Sequence, residues 1–321
     1  MNQSVDTSKY KPLAQGEYNA NYTFTDSATG SVRVLRVNHG SQMHLDNQID
    51  YEANALRMLA DSGRTPLLFE VVDPCKAPGN GALVEEYLEG VALDYNNSEQ
   101  MVAVAKCLAD IHSLKMPVEH GLIEPENSLK AILDECEEML EVYLGSVLPD
   151  KNDKLRLRRL LDKAWKLVPD TPDDIGYKCC INTELNSSNF IIKDGIVKLV
   201  DWEKPLYGDP AQDIGHFLAP TTSYWKTDVI FSQDTIERFI KDYIDAVDGR
   251  YDTTGLRERT LDFITITCLR GMTWCAMAWV QYQQNGKELV NEFTWMKINQ
   301  YLDDTFFTLI EAVINRALMN K

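Results

Sequence analysis

The pattern of apolar and polar positions changes texture near Gly90. Before it, short β-branched runs dominate. Residues 17–25 and 31–37 (SVRVLRV) read as strands. The stretch between them, DSATG, has turn chemistry, so the pair predicts a hairpin. Ile49, Ala53, Leu56 and Ala60 recur at helical spacing and predict a helix over about 45–61 that Gly63 stops. Residues 67–72 and 82–88 are two further strands around the loop DPCKAPGNG. After Gly90 the spacing becomes helical, over 101–114, 129–144 and 155–167, and again from 234 to the end. One strand pair interrupts it, 190–193 and 196–200, joined by Asp194-Gly195, a strong two-residue hairpin signal. The pattern predicts an α+β fold: a small antiparallel β lobe with one helix over 1–90, ending in a hinge, then a larger, mostly helical lobe over 91–321. No internal repeat is present.

One residue breaks the pattern of the first helix. Glu52 falls three positions after Ile49 and four before Leu56, on the apolar stripe. A carboxylate on a buried face needs a cationic partner. Arg36, in the strand VRVLRV, is the natural one, and its planar fork can grip carboxylate or phosphate oxygens.

Composition narrows the function classes. A net charge of -17 over 321 residues argues against sequence-independent nucleic-acid binding, which needs clustered Lys and Arg. It allows a cationic ligand, and equally serves solubility alone. No run of apolar residues is long enough to predict a membrane span, and the N-terminal stretch lacks the pattern of a signal peptide. The seven cysteines, Cys75, Cys107, Cys136, Cys179, Cys180, Cys268 and Cys275, form no CxxC pair. A reducing, cytoplasmic setting without disulfides or structural zinc is expected. His39, His44, His120 and His216 show no metal-ligand spacing, and His112 reads as a packed structural histidine.

Chemistry concentrates in 182–213, NTELNSSNFIIKDGIVKLVDWEKPLYGDPAQD. Glu184 and Asn189 lie in a polar loop just before a strand. The hairpin then delivers Asp201 at the end of its second strand. An amide oxygen and a carboxylate at one hairpin mouth can share a hard cation such as Mg²⁺. Glu184, on the same rim, can accept a proton from a hydroxyl. Phosphoryl transfer needs this set together with a cation on the phosphates.

This segment resembles the catalytic-loop signature of the aminoglycoside phosphotransferase and choline kinase superfamily, H-G-D-x-x-x-x-N followed by a hairpin and D-x-E or D-W-E. The resemblance implies a two-lobed protein-kinase-like fold, ATP or GTP with Mg²⁺, and transfer of the γ-phosphoryl group to a hydroxyl of a small molecule. It places Asn189 and Asp201 on the metal, Glu184 at the catalytic carboxylate, and Glu203 on the acidic residue after the Trp. Arg36 takes the phosphate-side cation, positioned by Glu52. Gly208 to Asp213 match the family's G-D-P-x-x-D, where Asp209 and Pro210 also suit a helix start. Gly16 falls in the phosphate-covering loop, and VEEYLEG resembles the hinge, whose backbone near Glu86 and Leu88 would meet the adenine edge. Two departures stand out: Asn182 replaces the family's His, and Glu184 its Asp. The extra methylene moves the carboxylate by roughly 1 Å, a displacement that can cost about 10²-fold in rate. A nucleotide-binding pseudokinase with a regulatory or scaffold role is the alternative, and transfer of AMP a third.

In this superfamily the acceptor binds the helical lobe. Candidates are Trp202, Glu203, Tyr224, Trp225, Arg270, Trp274 and Tyr282, of which Arg270, Trp274 and Tyr282 share a helix face. An aromatic face with carboxylates would suit a cationic acceptor, while such a stripe in an apolar segment also reads as core. The expected partner is a small-molecule acceptor, with no nucleic acid and no membrane, for a monomer or homodimer.

Overall fold

A computed structural model describes residues 9–16, 18–41, 43–73, 79–169, 176–284 and 291–319. Glu17, at the start of the first predicted strand, and Cys75 lie outside them.

The chain opens with a five-stranded antiparallel sheet: β1 (Lys11–Gln15), β2 (Asn19–Thr25), β3 (Val32–Asn38), β4 (Leu68–Val72) and β5 (Ala82–Glu86), in the order β1-β2-β3-β5-β4. The predicted hairpin is β2–β3, which sets Asn21 opposite Arg36. β3 and β5 then pair so that Arg36 lies opposite Leu83, in the middle of the sheet. Between β3 and β4 runs α1 (Gln48–Leu59), capped by the Asn47 side chain on the Asp50 N–H. It buries Ile49, Ala53, Leu56 and, with them, Glu52. A single 3₁₀ turn follows, and Gly63 ends it in the left-handed conformation at φ 65°.

At Gly90 the chain crosses from the sheet to the helical part. Its φ is +155°, and a Cβ there would meet the Ile192 carbonyl oxygen at 2.5 Å, so only glycine fits. The next two residues form β6 (Val91–Ala92), which pairs with β8 (Phe190–Lys193), itself paired with β9 (Ile196–Leu199). The β8–β9 turn uses Asp194 at φ 52° and Gly195 at φ 76°, as a primed hairpin turn requires. A second small pair joins β7 (Cys179–Ile181) to β10 (Leu206–Gly208).

The helices are α2 (Ser98–His112), α3 (Ser128–Gly145), α4 (Lys151–Ala164), α5 (Pro210–Leu218), α6 (Pro220–Thr227), α7 (Gln233–Val247), α8 (Leu256–Gln284), α9 (Glu292–Leu302) and α10 (Asp304–Met319). α5 starts as predicted, with Asp209 capping the Ala211 N–H and Pro210 in the first turn. One core of buried Leu, Ile, Val, Phe and Cys side chains links α1 to the helical part. α8 corrects a sequence expectation: Leu256–Gln283 is long and apolar enough to cross a membrane by length and composition, but most of it is buried. It is the central helix of this lobe, packed by α3, α5, α6 and α9. The six described cysteines are free and buried.

Candidate active site

Four elements converge on Arg36. Its side chain is 8% exposed. Nε donates to Glu52 Oε2 at 2.9 Å, and Nη2 donates to Asp201 Oδ1 at 2.8 Å and to Glu203 Oε2 at 3.2 Å. Burial disfavours the guanidinium's charge, but Glu52 and Asp201, then Glu85 and Glu203, hold its pKa above the ordinary value. Glu52 is raised by burial, while Arg36 and the Gln48 amide (2.9 Å) hold it back. Gln48 also donates to the Glu203 carbonyl at 2.6 Å, stitching α1 to the loop after Asp201.

Around this one cation the carboxylates are in excess. Desolvation, then Asp201, push Glu203 up to about 7. Glu85, at the end of β5, is also pushed up to about 7 by desolvation. It lines a small cavity of about 10 Å³ with Arg36, Leu56, Asp201 and Trp202. Asn19, at the start of β2, donates to Glu203 Oε2 and accepts from Asn38 Nδ2 at 3.0 Å, so the N-terminal sheet reaches the same cluster.

The loop after β7 brings the second half. Glu184, Asp201 and Glu203 each offer an oxygen within 4.8 Å of the others. Asn189 is buried, and its Nδ2 donates to the Glu184 carbonyl at 2.9 Å, which leaves the amide oxygen as the function available to a cation. Three carboxylates and an amide form an all-oxygen donor set, which fits a hard divalent cation. Asp201 has φ +66°, a left-handed turn that ends the β9 register and turns its side chain out of the strand alternation.

Asp213 of α5 anchors this loop. Its Oδ2 accepts the Asn182 N–H at 2.8 Å and its Oδ1 the Thr183 N–H at 2.7 Å. Behind it, His112 Nε2 lies 3.1 Å from Asp213 and Nδ1 2.7 Å from the Tyr243 hydroxyl, all buried. Asn182 is itself fully buried: Nδ2 donates to the Asp201 carbonyl at 2.8 Å, and Oδ1 accepts the Glu184 N–H at 3.1 Å. This Asn thus ties the loop at Glu184 to the loop at Asp201. Thr183 sits at φ +69°, unusual for a β-branched residue, with its hydroxyl donating to the Lys204 carbonyl at 2.8 Å.

The model of the phosphotransferase enzyme family (APH) matches residues 9–258. The chain belongs to this family. It is a phosphotransferase of the small-molecule kinase type, and no curated protein sequence matches it. Among solved structures it resembles a choline/ethanolamine kinase family protein from Mesorhizobium loti, with 18% identity over 98% of this chain and 93% of that one and a TM-score of 0.62. A choline kinase from Cryptosporidium parvum matches at 13% identity over 98% and 95%, TM-score 0.64. An amicoumacin kinase, solved in complex with AMP-PNP, Ca²⁺ and Ami, matches at 14% identity over 93% and 89%, TM-score 0.63. These likenesses place the fold as protein-kinase-like.

In this phosphotransferase, Arg36, Glu52, Asp201 and Glu203 meet as one ion-paired group, and Glu184 and Asn189 lie on its rim. Glu184 also forms an ion pair with Lys204, a residue the sequence reading passed over. At the hinge, the Glu86 N–H donates to the Leu67 carbonyl at 2.8 Å, and its side chain pairs with Lys198 at 2.7 Å, so its N–H is committed to the residue just before β4. Leu88, two residues on, is half-buried. Gly16 is not sterically required: a Cβ would touch only the Asn19 carbonyl oxygen, at 3.7 Å.

A trench of about 1010 Å³ opens beside Glu184 and runs along α8. Arg270, Trp274 and Tyr282 line it, as does Trp225 of α6. Three proposed acceptor residues are not in its lining. Trp202 is 3% exposed, its indole N–H donating to the Leu199 carbonyl, because the left-handed turn at Asp201 directs it inward. Tyr224 packs on Tyr301 and Phe306. Glu203 faces Arg36 instead. Lys204, Glu85 and Asn19 were missed, and Asp213 was matched only as the end of the G-D-P-x-x-D motif, with no role given to it. Asp213 carried a usable signal, an Asp inside the apolar helix PAQDIGHFL, like Glu52 in α1.

Proposed function

We propose that this phosphotransferase uses Mg-ATP to phosphorylate a hydroxyl of a small molecule, with Glu184 as the general base. The observation that carries this reading is the Arg36 fork, which holds Glu52 on one side and Asp201 on the other while Glu184 stands within reach of Asp201.

Arg36 is the residue for the phosphate oxygens. Its contact to Asp201 is exchangeable, while Glu52 fixes the guanidinium plane. Asn189, Asp201 and Glu203 would hold Mg²⁺, which when bound neutralises charge on the phosphates. Glu184 accepts the acceptor's hydroxyl proton as that oxygen bonds to the γ-phosphorus. The bond from phosphorus to the bridging oxygen breaks, and its electron pair leaves on ADP. Glu is longer than the Asp it replaces, and Lys204, itself 8% exposed, pins the carboxylate from behind. The hinge backbone near Leu88 serves the adenine edge.

The test is transfer from γ-labelled ATP with Mg²⁺ across a panel of amino alcohols, sugars, glycosides and aminoglycosides. Glu184→Gln is expected to lower kcat about 10²–10⁴-fold with little change in the acceptor KM. Nucleotide binding with no transfer to any acceptor would make the chain a pseudokinase. Release of pyrophosphate would mean AMP transfer.

A further inference from the structure

The trench is too long and too balanced in charge for a small amino alcohol. It follows α8 from Arg270 to Tyr282, about 18 Å at 1.5 Å per residue. Its volume of about 1010 Å³ matches sites for drug-sized ligands. A choline-sized acceptor would occupy only the end at Glu184.

The two ends differ. At Glu184 the lining includes Asn186 and His216. Burial and the neighbouring Arg270 hold His216 neutral, with its pKa lowered to about 3. Neutral donors and acceptors of this kind suit a polyol ring. Further along, the aromatic side chains Trp225, Trp274 and Tyr282 join the lining. Trp274 is 37% exposed, unusually high for a tryptophan in an apolar helix, and its ring meets Trp225 edge-on at 5.6 Å. α8 and α6 lie so close here that a Cβ on Gly271 would meet Thr221 Cβ at 2.7 Å, which fixes the two indoles on neighbouring helices.

Two of the three carboxylates in the lining are already paired: Glu135 accepts from Arg270 Nε at 2.5 Å, and Glu184 pairs with Lys204, while Glu138 stays exposed to solvent. An ammonium group entering beside Glu184 would have to displace one of these built-in cations.

We propose that the trench binds a neutral glycoside end-on, its sugar at Asn186 and His216 with one hydroxyl toward Glu184, and its apolar ring system along Trp225, Trp274 and Tyr282. This rests on the kinase reading for its chemistry: ATP supplies the phosphoryl group, the sugar oxygen bonds to phosphorus, its proton passes to Glu184, and ADP leaves. The binding claim stands apart from turnover.

Calorimetry on the full chain, without nucleotide, tests it with four probes: a flavonoid glucoside, a steroid glycoside, methyl glucoside and choline. The ring-bearing glycosides are expected to bind about tenfold or more tighter than methyl glucoside, and choline not to compete. Trp274→Ala is expected to erase that preference and bring all three sugars to one affinity, an outcome that a general folding defect does not produce. Glu184→Gln should keep the preference for the ring-bearing glycosides over methyl glucoside and transfer nothing. Selective glycoside binding without phosphorylation would refute the kinase reading and leave the trench assignment standing. Equal affinity for methyl glucoside and the ring glycosides, tighter binding of choline, or no binding of any glycoside at millimolar concentration would overturn the assignment.

Discussion

The cleft at Arg36 and the trench along α8 hold their charges differently. In the cleft, Glu52, Asp201, Glu203 and Glu85 surround one buried guanidinium, so negative charge is in excess and protons or cations are drawn in. In the trench, Glu135 and Glu184 each have their own cation, Glu138 and Lys226 add exposed charges of opposite sign to the lining, and Trp225, Trp274 and Tyr282 supply an aromatic part of the surface. The first arrangement suits a ligand that arrives as a metal-bound polyanion. The second suits one recognised by shape and stacking. The two regions thus differ in electrostatics: the excess of carboxylates calls for counter-charge on one side, and pairing of Glu135 and Glu184 lowers that need on the other.

The largest effect should come from the cleft. Arg36→Met leaves Glu52, 1% exposed, as a buried carboxylate without its cation. The loss expected is about 3–5 kcal/mol of unfolding free energy, read by urea titration. The double variant Arg36→Met/Glu52→Leu should recover most of that stability but not ATP affinity. Recovery of both would show that Arg36 is structural only.

The two regions also differed in how far the sequence revealed them. Glu52 was legible because a carboxylate on an apolar helical stripe contradicts its surroundings, and Arg36 followed as its partner. Asp194-Gly195 named its own turn. β1, β6 and β10 were not legible, because each short strand is specified by a partner elsewhere in the chain; β6 is two residues long and pairs with β8 about a hundred positions later. The trench was half legible. An aromatic stripe in GMTWCAMAWV reads as core, and only the packing of α3 and α6 around α8 shows that one face stays open. Trp202 is an acceptor candidate through the family resemblance alone, and nothing local in the sequence announces the left-handed residue at Asp201 beside which its indole turns inward.

Lys204 marks the border between the two regions, and its removal should have an intermediate effect. Lys204→Met frees the Glu184 carboxylate, whose misplacement by about 1 Å is expected to lower kcat about 10²-fold. Lys204→Arg should restore part of it. Unchanged kcat in Lys204→Met, with only the melting temperature lowered, would show that the ion pair supports folding alone.

The smallest effect tests the excess of negative charge directly. Desolvation holds the Glu85 carboxyl at about 7, above its ordinary value of 4.5. The folded state therefore keeps this proton after the unfolded chain has released it. Between about pH 4.5 and 7 the unfolded state binds fewer protons, so this group's contribution to stability falls as pH rises and levels off above 7. Glu85→Gln removes the titration. Parent and variant should melt alike near pH 4.5, and the variant should be the more stable at pH 8, by on the order of 2 kcal/mol once partial solvation is allowed for. Saturating Mg²⁺ without nucleotide should narrow that gap, because a dication beside Asp201 offsets the cost of ionising Glu85. A difference that stays constant from pH 4.5 to 8 would mean that Glu85 titrates normally and that Arg36 already balances the cleft.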